Sequence, residues 1–226
     1  MASPELFATP VIFEMAGLSI TRTVVTTWGI MVGLAGACWL ATRRLAVQSG
    51  TTQTAVEAIY SAMEDAVRAV LPNHAGKVLP LIATLWIYIV VANLISIIPG
   101  LRSPTDDLSQ TAALAAVVFL AVHAYGLRIQ GLRRYLRHYL VPNPVFLPFH
   151  VMGELTRTIA LTVRLAGNIM SLETAALLVL MVAGFLVPIP VLMLHIVEAL
   201  VQAYIFGMLA LIYVAGAIQS QEVRQT

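Results

Sequence analysis

Three stretches of the chain, residues 24–42, 78–98 and 108–127, run for 19 to 21 residues with almost no charge. A bilayer core about 30 Å thick takes about 20 apolar residues of helix, so each stretch predicts one membrane span. Each closes on a stop signal: Arg43 with Arg44, Pro99 with Gly100, and Arg128. Between the first two spans lies a different pattern, over residues 54–71. There Val56, Ile59, Met63, Val67 and Val70 recur at helical spacing, while Glu57, Glu64, Asp65 and Arg68 supply polar positions. That stretch predicts an amphipathic helix, lying in the membrane interface or packed on a partner. Residues 127–140 carry Arg128, Arg133, Arg134 and Arg137 and read as a basic segment beside anionic headgroups.

Beyond Pro142, Pro144 and Pro148 the spacing changes. Residues 150–187 form a run of 38 without proline, which at 1.5 Å per residue would extend about 57 Å as one helix. No Gly-Pro cluster marks a break, so the run predicts one long tilted helix rather than two spans. Pro188 and Pro190 are expected to enforce a turn, and residues 191–218 supply the second arm of a helical hairpin. The expected fold is an all-α membrane protein: about five membrane helices, including the long hairpin, plus the amphipathic helix, in one membrane domain over residues 1–226.

Composition supports that class and narrows the function. Of the 226 residues, 59% are hydrophobic and 11% charged, against about 25% charged in soluble domains. The formal charge of +2 is too slight and too dispersed for a nucleic-acid surface. The single cysteine, Cys38, excludes an intrachain disulfide, and no zinc-ligand spacing occurs, so neither metal nor cofactor is expected. Glu5 and Glu14 precede the first basic residue, Arg22, which is the wrong polarity for a secretory signal, so the first apolar run is expected to be retained. With five crossings, Arg43, Arg44, Arg68, Lys77, Arg128, Arg133, Arg134, Arg137 and Arg224 share one side, against Arg22 and Arg102 on the other. The bias of basic loops toward the cytoplasm then places the N-terminus outside and the C-terminus inside.

The remaining two basic residues, Arg157 and Arg164, fall within the long hairpin. An Arg at bilayer depth costs about 2.5 to 3.5 kcal/mol on insertion scales, so it needs water, a partner or a function. Seven residues make nearly two turns, so His150, Arg157, Arg164 and Ser171 form one stripe, with Asn168 about 40° off it. Glu173 stands on the opposite side from Arg164, which excludes a pair within the helix. On the second arm His195 and Gln202 share a face, with Glu198 between them. An antiparallel hairpin brings Glu173 and Gln202 to similar depth. Glu, His and Gln lining a wet crevice suit a proton pathway, since His and a desolvated Glu titrate near physiological pH. Each residue also has a plainer reading. Arg157 could snorkel to the headgroups, Arg164 could be paired permanently with Glu198 or Glu154, and His195 and Gln202 could simply bond between helices. His74, His123 and His138 read as loop or span-end residues, and Gly29, Gly33 and Gly36 as a close-packing series.

Leu161-Thr-Val-Arg-Leu-Ala-Gly-Asn168, with Glu173 nine residues after the Arg, resembles the signature of subunit a of the rotary ATP synthase membrane sector. His195-Ile-Val-Glu-Ala-Leu-Val-Gln202-Ala-Tyr-Ile-Phe206 resembles that family's last helix at the same spacing. Weaker agreement comes from Asp106-Asp-Leu-Ser-Gln-Thr111 and from Asn93-Leu-Ile-Ser-Ile-Ile-Pro99. The resemblance implies a stator lying against a ring of small hairpin rotor subunits, each bearing a carboxylate, beside a peripheral-stalk membrane subunit in a bacterial plasma membrane. Arg164 matches the essential Arg that faces the ring carboxylate and separates two offset half-channels. Glu173, His195 and Gln202 match positions in or beside the outer half-channel, and Asn168 the motif Asn. Asp107 is a candidate for the channel mouth, and Arg157, His150 and Glu154 are secondary candidates on the approach to Arg164. Three features depart from the usual pattern: Ala166 stands where a bulky aromatic is usual, the hairpin link is very short, and Glu198 adds an acid. They resemble a divergent bacterial class, some members of which move sodium.

The expected function is therefore ion conduction, of protons or sodium, by a subunit that is not itself the catalyst. The alternative is a self-contained secondary transporter with Arg164 binding an anionic substrate, against which stands the lack of repeated halves with broken helices. A structural anchor would not require Glu173, His195, Glu198 and Gln202 in apolar helices.

Overall fold

The computed structural model describes residues 11–15, 18–43, 50–97, 103–131, 147–183 and 188–219. The described residues are all-α apart from one antiparallel hairpin, β1 (Val11–Met15) with β2 (Leu18–Thr21), that leads straight into the first helix. The helices are α1 (Arg22–Thr42), α2 (Thr51–Val70), α3 (Ala75–Leu94), α4 (Leu108–Gln130), α5 (Leu147–Ala183) and α6 (Pro188–Gln219). Among the described residues, four stretches are long and apolar enough to cross a membrane: Thr23–Thr42, Ala75–Leu94, Leu108–Ile129 and Leu192–Ile218. The long first arm of the hairpin, α5, is one continuous helix of 37 residues, about 55 Å at 1.5 Å per residue.

Local chemistry sets several of the helix ends. Asp107 caps α4 by accepting from the backbone N–H of Ser109 at 2.9 Å, meeting one of the donors a helix start leaves free. The other end of α4 closes on Gly131, whose φ of 81° few other residues adopt and whose N–H donates to Leu127 O at 2.9 Å. Pro188 and Pro190 correct the sequence expectation. They lie in the first turn of α6 rather than forming a turn, because the N–H that proline lacks has no helical partner there. The link itself, residues 184–187, lies outside the described residues.

The core sits where α3 crosses α6. On α3, Val78, Ile82, Ile89 and Ala92 are fully buried, and on α6 so are Ala210, Leu211 and Val214. Trp86 stacks on Tyr204 with ring centroids 6.0 Å apart, and its indole N–H donates to Tyr204 O. Only glycine fits opposite that indole: a Cβ on Gly207 would lie 2.0 Å from Trp86 Nε1. The amphipathic helix α2 divides along its length. Val67 packs into the core beside Leu71, which follows the helix, whereas Val56, Ile59 and Tyr60 near the helix start are exposed.

Candidate functional site

Two contacts set how α5 and α6 pair. Asn168 Nδ2 donates to Gln202 Oε1 at 2.7 Å, and the Arg157 guanidinium lies 5.2 Å from the centre of the Tyr213 ring. The contacts are eleven residues apart on each helix, so the arms run antiparallel in constant register. Gln202 therefore faces Asn168, and the backbone of Glu173 falls level with Val197, next to Glu198. The side chains of Glu173 and His150 lie outside the described residues.

Arg164 sits on the exposed face of α5, between these two contacts, with no carboxylate of the described residues in salt-bridge range. Among the described residues no ion pair joins Arg164 to Glu154; that carboxylate instead meets Arg157, Nη1 to Oε1 at 3.4 Å. Arg157 in turn folds onto Glu154 and the Tyr213 ring. Its guanidinium thus makes an ion pair and a cation–π contact within the subunit.

Toward the Pro188 end α6 meets the end of α3 and residues 103–105 in a buried polar cluster. His195 is 8% exposed, and its Nε2 lies 2.9 Å from Ser96 Oγ and 3.3 Å from Asn93 O. Ser96 already donates its one proton to Asn93 O at 2.8 Å, so the His195 contact has Nε2–H as donor. Asn93 is fully buried and its Oδ1 accepts from Thr105 Oγ1 at 2.7 Å. Ser103 Oγ, 2.5 Å from Thr105 Oγ1, bonds Ala92 O at 2.7 Å. Two buried amide nitrogens, Asn93 Nδ2 and Gln202 Nε2, have no hydrogen-bond partner among the described residues. Glu198 is half-buried on α6, one turn past His195. Asp107 stands apart from this cluster, its Oδ1 taken up by the N–H and hydroxyl of Ser109.

Sequence reasoning placed His195 and Gln202 on one face of α6, and the structure buries both. It assigned no role to Asn93, Ser96, Ser103, Thr105 or Tyr213. One signal was available: Asn93 is polar near the end of an apolar span, seven residues from Trp86, and both face α6.

The fold and the seam define a class: a multi-pass helical membrane protein whose polar residues gather between two long helices. Comparison with known proteins gives the class its family. The family described as ATP synthase A chain matches residues 24–215. The chain is 61% identical to ATP synthase subunit a 2 of Pelobacter propionicus over 221 residues, 98% of this chain and 97% of that one. It is 60% identical to ATP synthase subunit a 1 of Hahella chejuensis over 212 residues, covering 94% and 90%. With ATP synthase subunit a of Legionella pneumophila strain Corby it shares 55% over 213 residues, covering 94% and 93%. The chain belongs to the ATP synthase A chain family, and so is a membrane-sector subunit of a rotary ATP synthase.

Proposed function

We propose that the chain is the ion-conducting stator of this membrane sector, not catalytic alone, with Arg164 exchanging ions with the carboxylates of a rotating ring. The observation that carries the reading is the placement of Arg164. It lies on an exposed face of a membrane helix, out of reach of every described carboxylate of its own chain. An Arg at that depth costs about 2.5 to 3.5 kcal/mol unless something meets it. A carboxylate on a passing rotor subunit meets that need, and an opposite charge within about 4 to 6 Å lowers a carboxylate pKa by about 1 to 3. A ring site arriving at Arg164 therefore gives up its cation, proton or sodium, and rotation continues with the site charged and facing the guanidinium.

In this reading two half-channels lie on either side of Arg164, supported by the polar contacts there. The outer one runs through the His195 cluster, Glu198, Glu173, Gln202 and Asn168; the inner one leaves toward the Leu147 end of α5. The buried amides of Asn93 and Gln202 support an outer path of water, because a buried donor left unmet costs about 1 to 3 kcal/mol. In this reading the N-terminus is outside and the C-terminus in the cytoplasm of a bacterial cell, and a peripheral-stalk membrane subunit holds the chain against the torque. Each unit charge crossing gains about 2.3 kcal/mol per 100 mV, so several crossings are summed for one ATP. The test is Arg164→Ala in the assembled complex: ATP-driven ion pumping is lost while ATP hydrolysis by the soluble sector persists. Normal pumping by that variant would overturn the reading.

A further inference from the structure

Arg157 is the second cation on the exposed face of α5, seven residues before Arg164 and about 20° from it around the helix. It is held from two sides. Its Nη1 donates to Glu154 Oε1 at 3.4 Å, and its guanidinium lies over the Tyr213 ring of α6 at 5.2 Å. A side chain serving only to reach the headgroups would extend away from the protein, since contact with a ring restricts it. Glu154 stands ten residues before Arg164, about 15 Å nearer the Leu147 end, and about 80° around toward α6. Its side chain is a quarter exposed, at the border between the free face and the seam.

The single contact at 3.4 Å is long for a charge-assisted bond and engages only one carboxylate oxygen. Among the described residues the other oxygen has no partner. The neighbouring threonines do not compete for it, because Thr156, Thr158 and Thr162 donate their hydroxyls to carbonyls of their own helix. Along the same face Gly153, Ala160 and Gly167 leave the surface shallow, and a Cβ at either glycine would meet nothing within 4 Å.

We propose that Glu154 is the cation acceptor on the cytoplasmic side of Arg164, and that Arg157 is its positioning residue. The inference rests on the stator reading and extends it to the inner half-channel. A cation released at Arg164 is repelled by that guanidinium. The next carboxylate on this face toward the cytoplasm is Glu154, which takes the cation on its free oxygen. When the cation is a proton, an O–H bond forms there from a hydrated proton and breaks again to cytoplasmic water. Arg157, bonded to Oε1 and held on the Tyr213 ring, keeps the carboxylate in place with its second oxygen free.

The experiment uses inside-out vesicles carrying the assembled complex in a Cys38→Ser background, with ATP-driven acidification followed in sodium-free buffer and sodium uptake in sodium buffer. Glu154→Gln should lower the pumping rate about tenfold or more, with the complex assembled, and Glu154→Asp should restore most of it. In Glu154→Cys, the membrane-impermeant anionic reagent sulfonatoethyl methanethiosulfonate, added to the cytoplasmic face, should raise pumping, and its trimethylammonium counterpart should not. Arg157→Gln should slow pumping less than Glu154→Gln does. Wild-type pumping by Glu154→Gln, or equal responses to the two reagents, overturns the inference. Arg164→Ala run alongside separates the two claims: if it stops pumping while Glu154→Gln pumps fully, only the role of Glu154 falls.

Discussion

Both α1 and α5 present apolar surfaces to the outside of the bundle, but what they carry on those surfaces differs. On α1, Trp28, Val32, Trp39 and Leu40 are 58 to 73% exposed, and no charge occurs between Arg22 and Arg43. Hydrocarbon suits such a helix, whose backbone bonds are satisfied internally and whose side chains are as apolar as lipid. On α5, exposed Phe149, Met152, Ile159 and Val163 share the surface with Arg157, Arg164, Asn168 and Ser171. Lipid cannot satisfy the Arg164 guanidinium, for which no carboxylate of the described residues lies in range. Exposure by itself therefore separates nothing in a membrane protein; exposure together with charge distinguishes a face that awaits another protein from one that awaits lipid.

The sharpest way to break this comparison is to give α1 what α5 has. Val32→Arg places a charge in mid-span with no partner, and it should cost about 2.5 to 3.5 kcal/mol, read as loss of assembled complex from the membrane. Arg164→Ala should leave assembly intact. Equal assembly of Val32→Arg and wild type would mean that the face of α1 is covered by protein and not by lipid. A smaller effect is expected behind both faces, at the α3–α6 crossing. There Gly207→Ala forces a methyl against the Trp86 indole and should destabilise the detergent-solubilised complex by about 1 to 3 kcal/mol. Combining it with Trp86→Phe, which shortens the indole, should cost less than the sum of the two single changes. Smallest in stability is Gln202→Leu, expected to fall within about 1 kcal/mol because it removes a buried amide already lacking one partner. Its passive ion conduction should nevertheless slow. Unchanged conduction would remove Gln202 from the outer path.

The fold was legible because its signals are local. Twenty apolar residues ending in charge or proline announce a span without reference to the rest of the chain, and the long proline-free run announced α5. Pro188 and Pro190 misled because proline marks both turns and helix starts, and only the folded chain separates the two. At the site, the seven-residue stripe of Arg157 and Arg164 followed from helical periodicity alone. The cluster around Asn93 did not, since Ser103, Thr105, Ser96 and His195 come together only through the packing of α3 on α6. Tyr213 was equally silent. Its ring meets Arg157 through a register between α5 and α6 that neither helix contains by itself.

The most direct measurement of the central claim is the structure of the assembled membrane sector, read at the Arg164 guanidinium. A rotor carboxylate should lie within about 6 Å of it, across the exposed face of α5. A guanidinium tied to an acid of its own subunit, or turned to lipid away from the ring, would contradict the account.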